Sequence, residues 1–326
     1  VGSQLPGVNE MTRYYRVGYC TVTKAIQALR AEGLLHCRRG RNPEVRAVAG
    51  SRKRIIGILV DNGHPNLAPF DYENSPTVWL LVNKLQVEAL KRHWPTVLLA
   101  PDHSFVNYLH ELAGLIAIRS VTGPRLIQSP LALPMTVIYR DGDPEAAEAN
   151  SVTSPAEAGM HQALTYLLVH GVKQVFMAYI AGVQTELSFK VASCRNYLFE
   201  HDLSPDAVLP VAADNLFTLD GERCFEEKIR QSARPPFGVI AGGDLVARGI
   251  IQAGIRAGLT PKKDFYVVGS SGLPDAEKWA PPLTTLMPNF DQLAEQAVTM
   301  LEKQIELPGL QLPPATAPYK LVIRGT

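Results

Sequence analysis

Gly238-Val239-Ile240-Ala241-Gly242-Gly243-Asp244-Leu245-Val246-Ala247-Arg248-Gly249 passes from an unbroken apolar run, through two glycines and an aspartate, into the start of a helix. A short apolar run closed by glycine fits a strand buried on both faces, as in parallel sheets. Asp244 stands where a helix running to residue 258 needs an N-cap. Downstream, 265–269 reads as the next strand and 289–306 as the next helix. Upstream, 174–179 is a strand and 191–201 a helix, preceded by Ser154-Pro155-Ala156-Glu157. That tetrapeptide has the form of a capping box with proline at the first helical position, opening a helix to Gly171. Further back, 96–100, 114–118 and 134–139 read as strands. Ser75-Pro76 begins a helix with Val78, Leu81, Val82, Leu85, Ala89 and Leu90 on one face, and Ile55-Ile56-Gly57-Ile58-Leu59-Val60 is a buried strand. This alternation implies an α/β fold of two doubly wound parallel-sheet subdomains, expected at 55–149 with 286–312 and at 150–285 with 313–326. Ligands in such folds sit beyond the carboxyl ends of the strands.

The chain has 326 residues, 46% hydrophobic and 19% charged, with a formal net charge of +1. That length holds two or three domains, and the hydrophobic share argues against disorder. No run reaches the roughly 18 apolar residues of a membrane span, and no basic-then-apolar leader opens the chain. Cys20, Cys37, Cys194 and Cys224 are widely spaced with no C-x-x-C pair, so a reducing cytoplasm is the expected compartment. The near-neutral total conceals a division. Residues 1–54 hold eleven Arg and Lys against three Glu, a net of +8, which leaves −7 for the remainder. A basic head on an acidic body is the footprint of a polyanion-binding module joined to something else.

In that head, Val22, Ala25, Ile26 and Leu29 recur at i, i+3, i+4 and i+7, one face of a helix over 20–32 that Gly33 closes. The other face carries Thr21, Thr23, Lys24, Gln27 and Arg30, groups suited to base edges and phosphates in a major groove. Residues 34–38 and 44–48 then read as a two-stranded hairpin with Arg38, Arg39 and Arg41 at or beside its tip. Helix, glycine turn and basic hairpin describe a winged helix-turn-helix over 1–48, with 49–54 a short linker. The run Val22-Thr23-Lys24-Ala25-Ile26-Gln27-Ala28-Leu29-Arg30-Ala31-Glu32-Gly33-Leu34-Leu35, followed by Arg38-Arg39-Gly40-Arg41, resembles the DNA-binding domain of GntR-type regulators. That family has a further helix before the Leu5-Pro6 pair, for which this chain starts too late. It also usually places arginines where Asn9, Tyr19 and Thr23 stand, and a second wing glycine at Asn42. The resemblance implies double-stranded operator DNA as a partner, contacted through Tyr19, Thr21, Thr23, Lys24, Gln27, Arg38, Arg39 and Arg41.

The body resembles the effector domain of LacI/GalR repressors, itself similar to periplasmic sugar-binding proteins of type I. The resemblance rests on 238–249, Phe265-Tyr266-Val267-Val268-Gly269, Pro281-Pro282-Leu283-Thr284-Thr285-Leu286 and the closing Leu321-Val322-Ile323-Arg324-Gly325-Thr326. It implies a homodimer with a sugar-like effector in an interdomain cleft. The strand ends supply Asp61 and Asn62, Tyr139 and Arg140, Asp244, and Ser270 and Ser271, with Trp79 in the first helix. Arg195 matches a ligand-contacting arginine, and Phe290 an aromatic that packs on the ligand. Tyr139, Gly243 and Ser271 replace the family's usual Asp, Asn and Asp, which removes acceptors for sugar hydroxyls.

No catalytic or cofactor chemistry is expected. The eight histidines form no i,i+3 or i,i+4 pair and lie near no cysteine cluster, so no metal is expected. Gly269-Ser270-Ser271-Gly272 lacks the spacing of a nucleophile elbow, and Ala241-Gly242-Gly243-Asp244 is neither a Walker loop nor G-x-G-x-x-G. Two functions stand: a ligand-responsive repressor, or a small-molecule binding or transport protein with a basic extension.

Overall fold

The computed structural model describes residues 4–31, 35–36, 42–45, 55–61, 76–99, 109–119, 133–140, 149–180, 184–215 and 217–326. Its contacts fall into two units, Val1–Arg54 and Ile55–Thr326.

The first unit contains α1 (Val8–Tyr15), α2 (Tyr19–Ala31), β1 (Leu35–His36) and β2 (Glu44–Val45), the two strands pairing antiparallel with Leu35 opposite Val45. Arg16 closes α1 in the left-handed region at φ 55°, a conformation that stops a helix. Met11, Val22 and Leu35 are buried, Ile26 is half-buried, and Ala25 and Leu29 are exposed. The apolar face of α2 is thus only partly covered by the described residues.

The second unit begins with β3 (Ile55–Asp61), α3 (Pro76–Lys91), β4 (Thr96–Leu99), β5 (Leu112–Arg119), β6 (Met135–Arg140) and β7 (Ser151–Ser154). Next come α4 (Glu157–Val169), β8 (Val175–Ile180), α5 (Gln184–Glu200), β9 (Val208–Ala213), α6 (Thr218–Cys224), β10 (Phe237–Ala241) and α7 (Asp244–Arg256). It ends with β11 (Phe265–Gly269), β12 (Thr284–Met287), α8 (Phe290–Glu306), β13 (Ala315–Thr316) and β14 (Lys320–Val322). Two six-stranded sheets result, ordered β13-β7-β6-β5-β3-β4 and β14-β12-β11-β10-β8-β9. Only β14 runs antiparallel to its neighbour. In the first lobe, Ile58, Ile116 and Ile138 pack against Leu81 and Leu85 of α3 and Leu293 and Val298 of α8. Helices lie on both faces of the second sheet, and its core includes Phe176, Phe225, Phe237 and Phe265.

The lobes are not contiguous in sequence. The chain crosses between them at 155–156, 288–289 and 317–319, and each crossing contains a proline, Pro155, Pro288 and Pro318. The first and third are laced together: Ser154 Oγ donates to Ala317 O at 2.9 Å, and Ala317 N to Thr153 O at 2.8 Å. Here the structure departs from the sequence reading. Ser154 belongs to β7, paired with Arg140 of β6, and α4 starts at Glu157 after Ala156 without a side-chain cap. Sheet pairing claims the backbone that a capping box would need. The crossings accordingly fall later than expected: residues 151–154 and 315–316 join the first sheet, and 284–287 the second. A further strand that the sequence pattern hid is β9, Val-Leu-Pro-Val-Ala-Ala. It lies at a sheet edge, where Pro210 is tolerated because one side needs no ladder bond.

Candidate functional site

All three crossings leave the carboxyl end of a strand: the first enters α4, the second α8, and the third enters β14 beside the carboxyl end of β12. Ser154, Met287 and Thr316 end β7, β12 and β13, and Lys320 begins β14 opposite Met287. The third link, from Thr316 to Lys320, holds the edge strands β13 and β14 within about 14 Å of each other there. The carboxyl ends of the parallel strands therefore bound a common cleft, the place where such sheets bind ligands.

The register builds the first wall. Asp61 of β3, Arg119 of β5, Tyr139 of β6, Thr153 of β7 and Thr316 of β13 stand side by side in one row across the sheet. The Arg119 guanidinium carbon lies 5.7 Å from the centroid of the Tyr139 ring. Tyr139 is only 1% exposed while Arg119 is half-buried, so the ring forms a floor and the cation its rim. Trp79, half-buried in the first turn of α3, stands on the helix that follows β3. In the second lobe, the half-buried Tyr179 lies next to the end of β8, and the half-buried Ser270 follows β11.

Several residues expected at the site do other work. Asp244 is 1% exposed, and both its oxygens are committed: Thr285 Oγ1 donates to Oδ1 at 2.6 Å and Leu273 N to Oδ2 at 2.7 Å. Gly243, not Asp244, is the N-cap of α7. A Cβ at Gly269 would sit 2.3 Å from Asp244 Oδ1, so the carboxylate is closed over by its own lobe. Burial pushes its pKa upward, against the lowering effect of the Thr285 hydroxyl and the Leu273 amide. Asp244 is a brace between α7, β12 and the loop after β11, with no face left for a ligand.

Arg195 lies late in α5 and donates from Nη2 to Val208 O at 3.1 Å. Val208 is the first residue of β9, roughly 16 Å along the strand from its carboxyl end. This arginine is remote from the cleft. Phe290 does reach the second crossing, but it is 8% exposed and packs with Val60, Ile118 and Leu293 in the first lobe's core. Ser271 is buried, its amide directed to Thr285 Oγ1 at 3.4 Å. Asn62, Arg38, Arg39 and Arg41 lie outside the described residues, as does the linker at 49–54, and for Asp61 and Arg140 only the strand position is described. On α2, Tyr19, Thr21, Lys24 and Gln27 are exposed. Thr23 is half-buried and donates its hydroxyl to Tyr19 O at 2.9 Å.

Sequence reasoning missed Arg119, whose signal was a cation closing the apolar run Leu112–Arg119. Among the described residues, no group of three or more His, Cys, Asp or Glu is placed to hold a metal, and no helix is long and apolar enough to cross a membrane.

Comparison with known proteins agrees with this architecture. A family model described as a periplasmic binding protein-like domain matches residues 164–326, half of the chain. The ribose operon repressor of Halalkalibacterium halodurans is 28% identical over 177 residues, which is 54% of this chain and 51% of that protein. The HTH-type transcriptional repressor PurR of Klebsiella pneumoniae is 25% identical over 185 residues, 53% of this chain and 50% of that protein. The chain thus spans about half the length of the curated relatives it matches. A LacI family transcriptional regulator from Enterococcus faecium, solved with bound ribose, superposes with a TM-score of 0.66 at 19% identity, over 83% of this chain and 97% of that one.

Proposed function

Because the chain belongs to the periplasmic-binding-protein-like domain family, we propose that it is a ligand-responsive transcription repressor. In this reading a small metabolite, a sugar by preference, binds the cleft and alters the affinity of a homodimer for double-stranded operator DNA. The observation that carries it is the gathering of three short proline-containing crossings at one flank of both sheets. Lobes joined in that way change their mutual angle about that flank, and a ligand touching both biases the angle. In a two-fold dimer the angle sets the spacing of the two heads against half-sites about one DNA turn apart.

The head supplies the DNA side. Its net charge of +8 in 54 residues suits phosphate neutralisation, and exposed Tyr19, Thr21, Lys24 and Gln27 share one helix. We read α1, α2 and the β1–β2 hairpin as a GntR-type winged helix-turn-helix, with Arg38, Arg39 and Arg41 on phosphates. The relatives named as repressors support repression, and the ribose-bound LacI-family structure supports a sugar effector. The pocket residues in this reading are Asp61, Asn62, Trp79, Arg119, Tyr139, Arg140 and Ser270.

The test is fluorescence anisotropy of the full chain on DNA selected from a random-sequence pool, across salt, with and without a panel of monosaccharides and sugar acids. Affinity should fall steeply with salt, with a log–log slope of several. One panel member should shift it about five-fold or more. Salt-insensitive or absent DNA affinity overturns the proposal.

A further inference from the structure

A second cavity lies on the outside of the second lobe, remote in the chain from the strand-end row. It has a volume of about 710 Å³, within the size range of small-molecule sites. One wall is a single face of α4 and its C-cap, His161, Thr165, Tyr166, Val169 and His170. Nine residues of helical rise make it about 13 Å long. Leu321 and Ile323, at the edge strand β14, add apolar side chains beside that face, the Leu321 amide donating to Gln162 Oε1 of α4 at 3.1 Å.

The two ends differ. At one end the His161 and Tyr197 rings are stacked, with centroids 4.5 Å apart and planes 27° apart. Tyr197 Oη shares a hydrogen bond with Thr165 Oγ1 at 2.7 Å, and one ring nitrogen of His161, Nε2, meets Ser193 Oγ at 3.1 Å. At the other end His170 lies 4.7 Å from Tyr166 and 5.0 Å from Tyr266, ring to ring. Tyr266 Oη donates to Lys262 O at 2.7 Å, which brings Lys262 to that end. Lys262 Nζ donates to Arg324 O at 2.6 Å, leaving two of its three N–H groups. His170 Nδ1 faces the carbonyl of Tyr166 at 2.7 Å, so Nδ1 carries the proton and Nε2 is left over. Every ionisable cation among the lining residues is a Lys or His, and no Asp or Glu lines the cavity. Val169 is 77% and Ile323 57% exposed, apolar surface at the cavity without cover from the described residues.

From this we infer a second small-molecule site, distinct from the cleft, for a planar aromatic ring bearing one carboxylate. The ring lies against the His161–Tyr197 end and the exposed apolar side chains of Val169 and Ile323. The carboxylate takes the N–H groups of Lys262, an approach favoured by the lack of Asp and Glu among the lining residues. The site stands whether or not the protein is a DNA-binding regulator.

Titration calorimetry of the full chain with indole-3-acetate tests it, with the uncharged indole-3-acetamide as comparison. The acetate should bind saturably and about ten-fold or more tighter than the amide. Lys262→Met should remove that preference and leave amide binding unchanged, with Lys262→Arg restoring it. Tyr197→Leu should weaken both, and Arg119→Met in the cleft should alter neither. Equal affinity for acetate and amide, loss of binding in Arg119→Met, or no saturable binding below about 1 mM overturns the inference.

Discussion

Arg119 lies over the ring of Tyr139, cation carbon 5.7 Å from centroid, at paired positions on β5 and β6. A cation on an aromatic floor contributes about 0.5–1 kcal/mol to folding in partly exposed places. Arg119→Met should therefore lower the melting temperature by only a few degrees. The same change should abolish the stabilisation produced by whichever sugar or sugar acid binds the wild-type chain. Arg195→Met should preserve that stabilisation, because the arginine reaches Val208 O at the amino end of β9, away from the strand-end row. Differential scanning fluorimetry of both variants with the same ligand checks the pair; loss in Arg195→Met and retention in Arg119→Met would reverse the assignment.

The Asp244 brace gives a stability prediction with a pH signature. Asp244→Ala leaves the Thr285 hydroxyl and the Leu273 amide without their acceptor inside the lobe, at a cost of about 3 kcal/mol. Asp244→Asn should cost less, keeping one acceptor. Burial raises the folded pKa of Asp244 above the unfolded value. Its titration therefore favours the fold fully below the unfolded carboxylate pKa, and that contribution declines as pH rises through the folded pKa. The advantage of wild type over Asp244→Asn should shrink with rising pH in urea denaturation; a gap that widens would contradict the sign.

Glu88 has the opposite sign. Its carboxylate accepts from Lys91 Nζ at 2.6 Å and from Arg92, and these bonds hold its pKa below the ordinary value. Its contribution is present above the unfolded pKa and is lost as pH falls through the folded one. The difference between wild type and Glu88→Gln should vanish in acid and persist at neutral pH.

Arg92 links α3 to α8, donating to Glu302 Oε2 at 3.0 Å and Thr299 Oγ1 at 2.8 Å. Arg92→Met should destabilise the fold by about 1–2 kcal/mol, read as a lower urea midpoint at an unchanged slope.

Two glycines allow α6 and α7 to touch backbone to backbone. A Cβ on Gly249 would fall 1.9 Å from Thr218 O, and one on Gly221 2.1 Å from Val246 O. Gly249→Ala should cost about 3 kcal/mol, whereas Gly258→Ala meets no neighbour and bears only the strain of φ 86°. Comparable losses in the two variants would remove the packing argument.

The apolar strand runs and their helical partners were legible in the chain because buried parallel strands write themselves as uninterrupted hydrophobic stretches. The reading of 265–269 coincides with the strand Phe265–Gly269. Strand β9 escaped because an edge position admits a proline that a central strand forbids. Ser154 was misread because the same Ser-Pro-x-Glu order serves a helix start or a strand end, and only pairing with β6 and β13 decides between them. The site was harder to read. Whether Asp244 meets a ligand depends on Thr285, 41 residues away, and whether Arg195 does depends on which end of a strand its helix has reached. Neither is written locally. Arg119 needed the register of three strands before its neighbours were known.

The grouping of all three crossings at the β13–β7 and β14–β12 flank turns the strand-end row into a lever. Neighbouring strands stand about 4.8 Å apart, so Thr153 lies one spacing from the outermost strand of that flank and Asp61, on β3, lies four. Rotation of one lobe by about 10° would move Thr153 by less than about 1 Å and Asp61 by about 3 Å. Mechanical gain rises along the row, with Tyr139 and Arg119 at intermediate arms. Residues near the pivot suit contacts that must persist at every angle. Residues at the far end suit contacts that exist at only one.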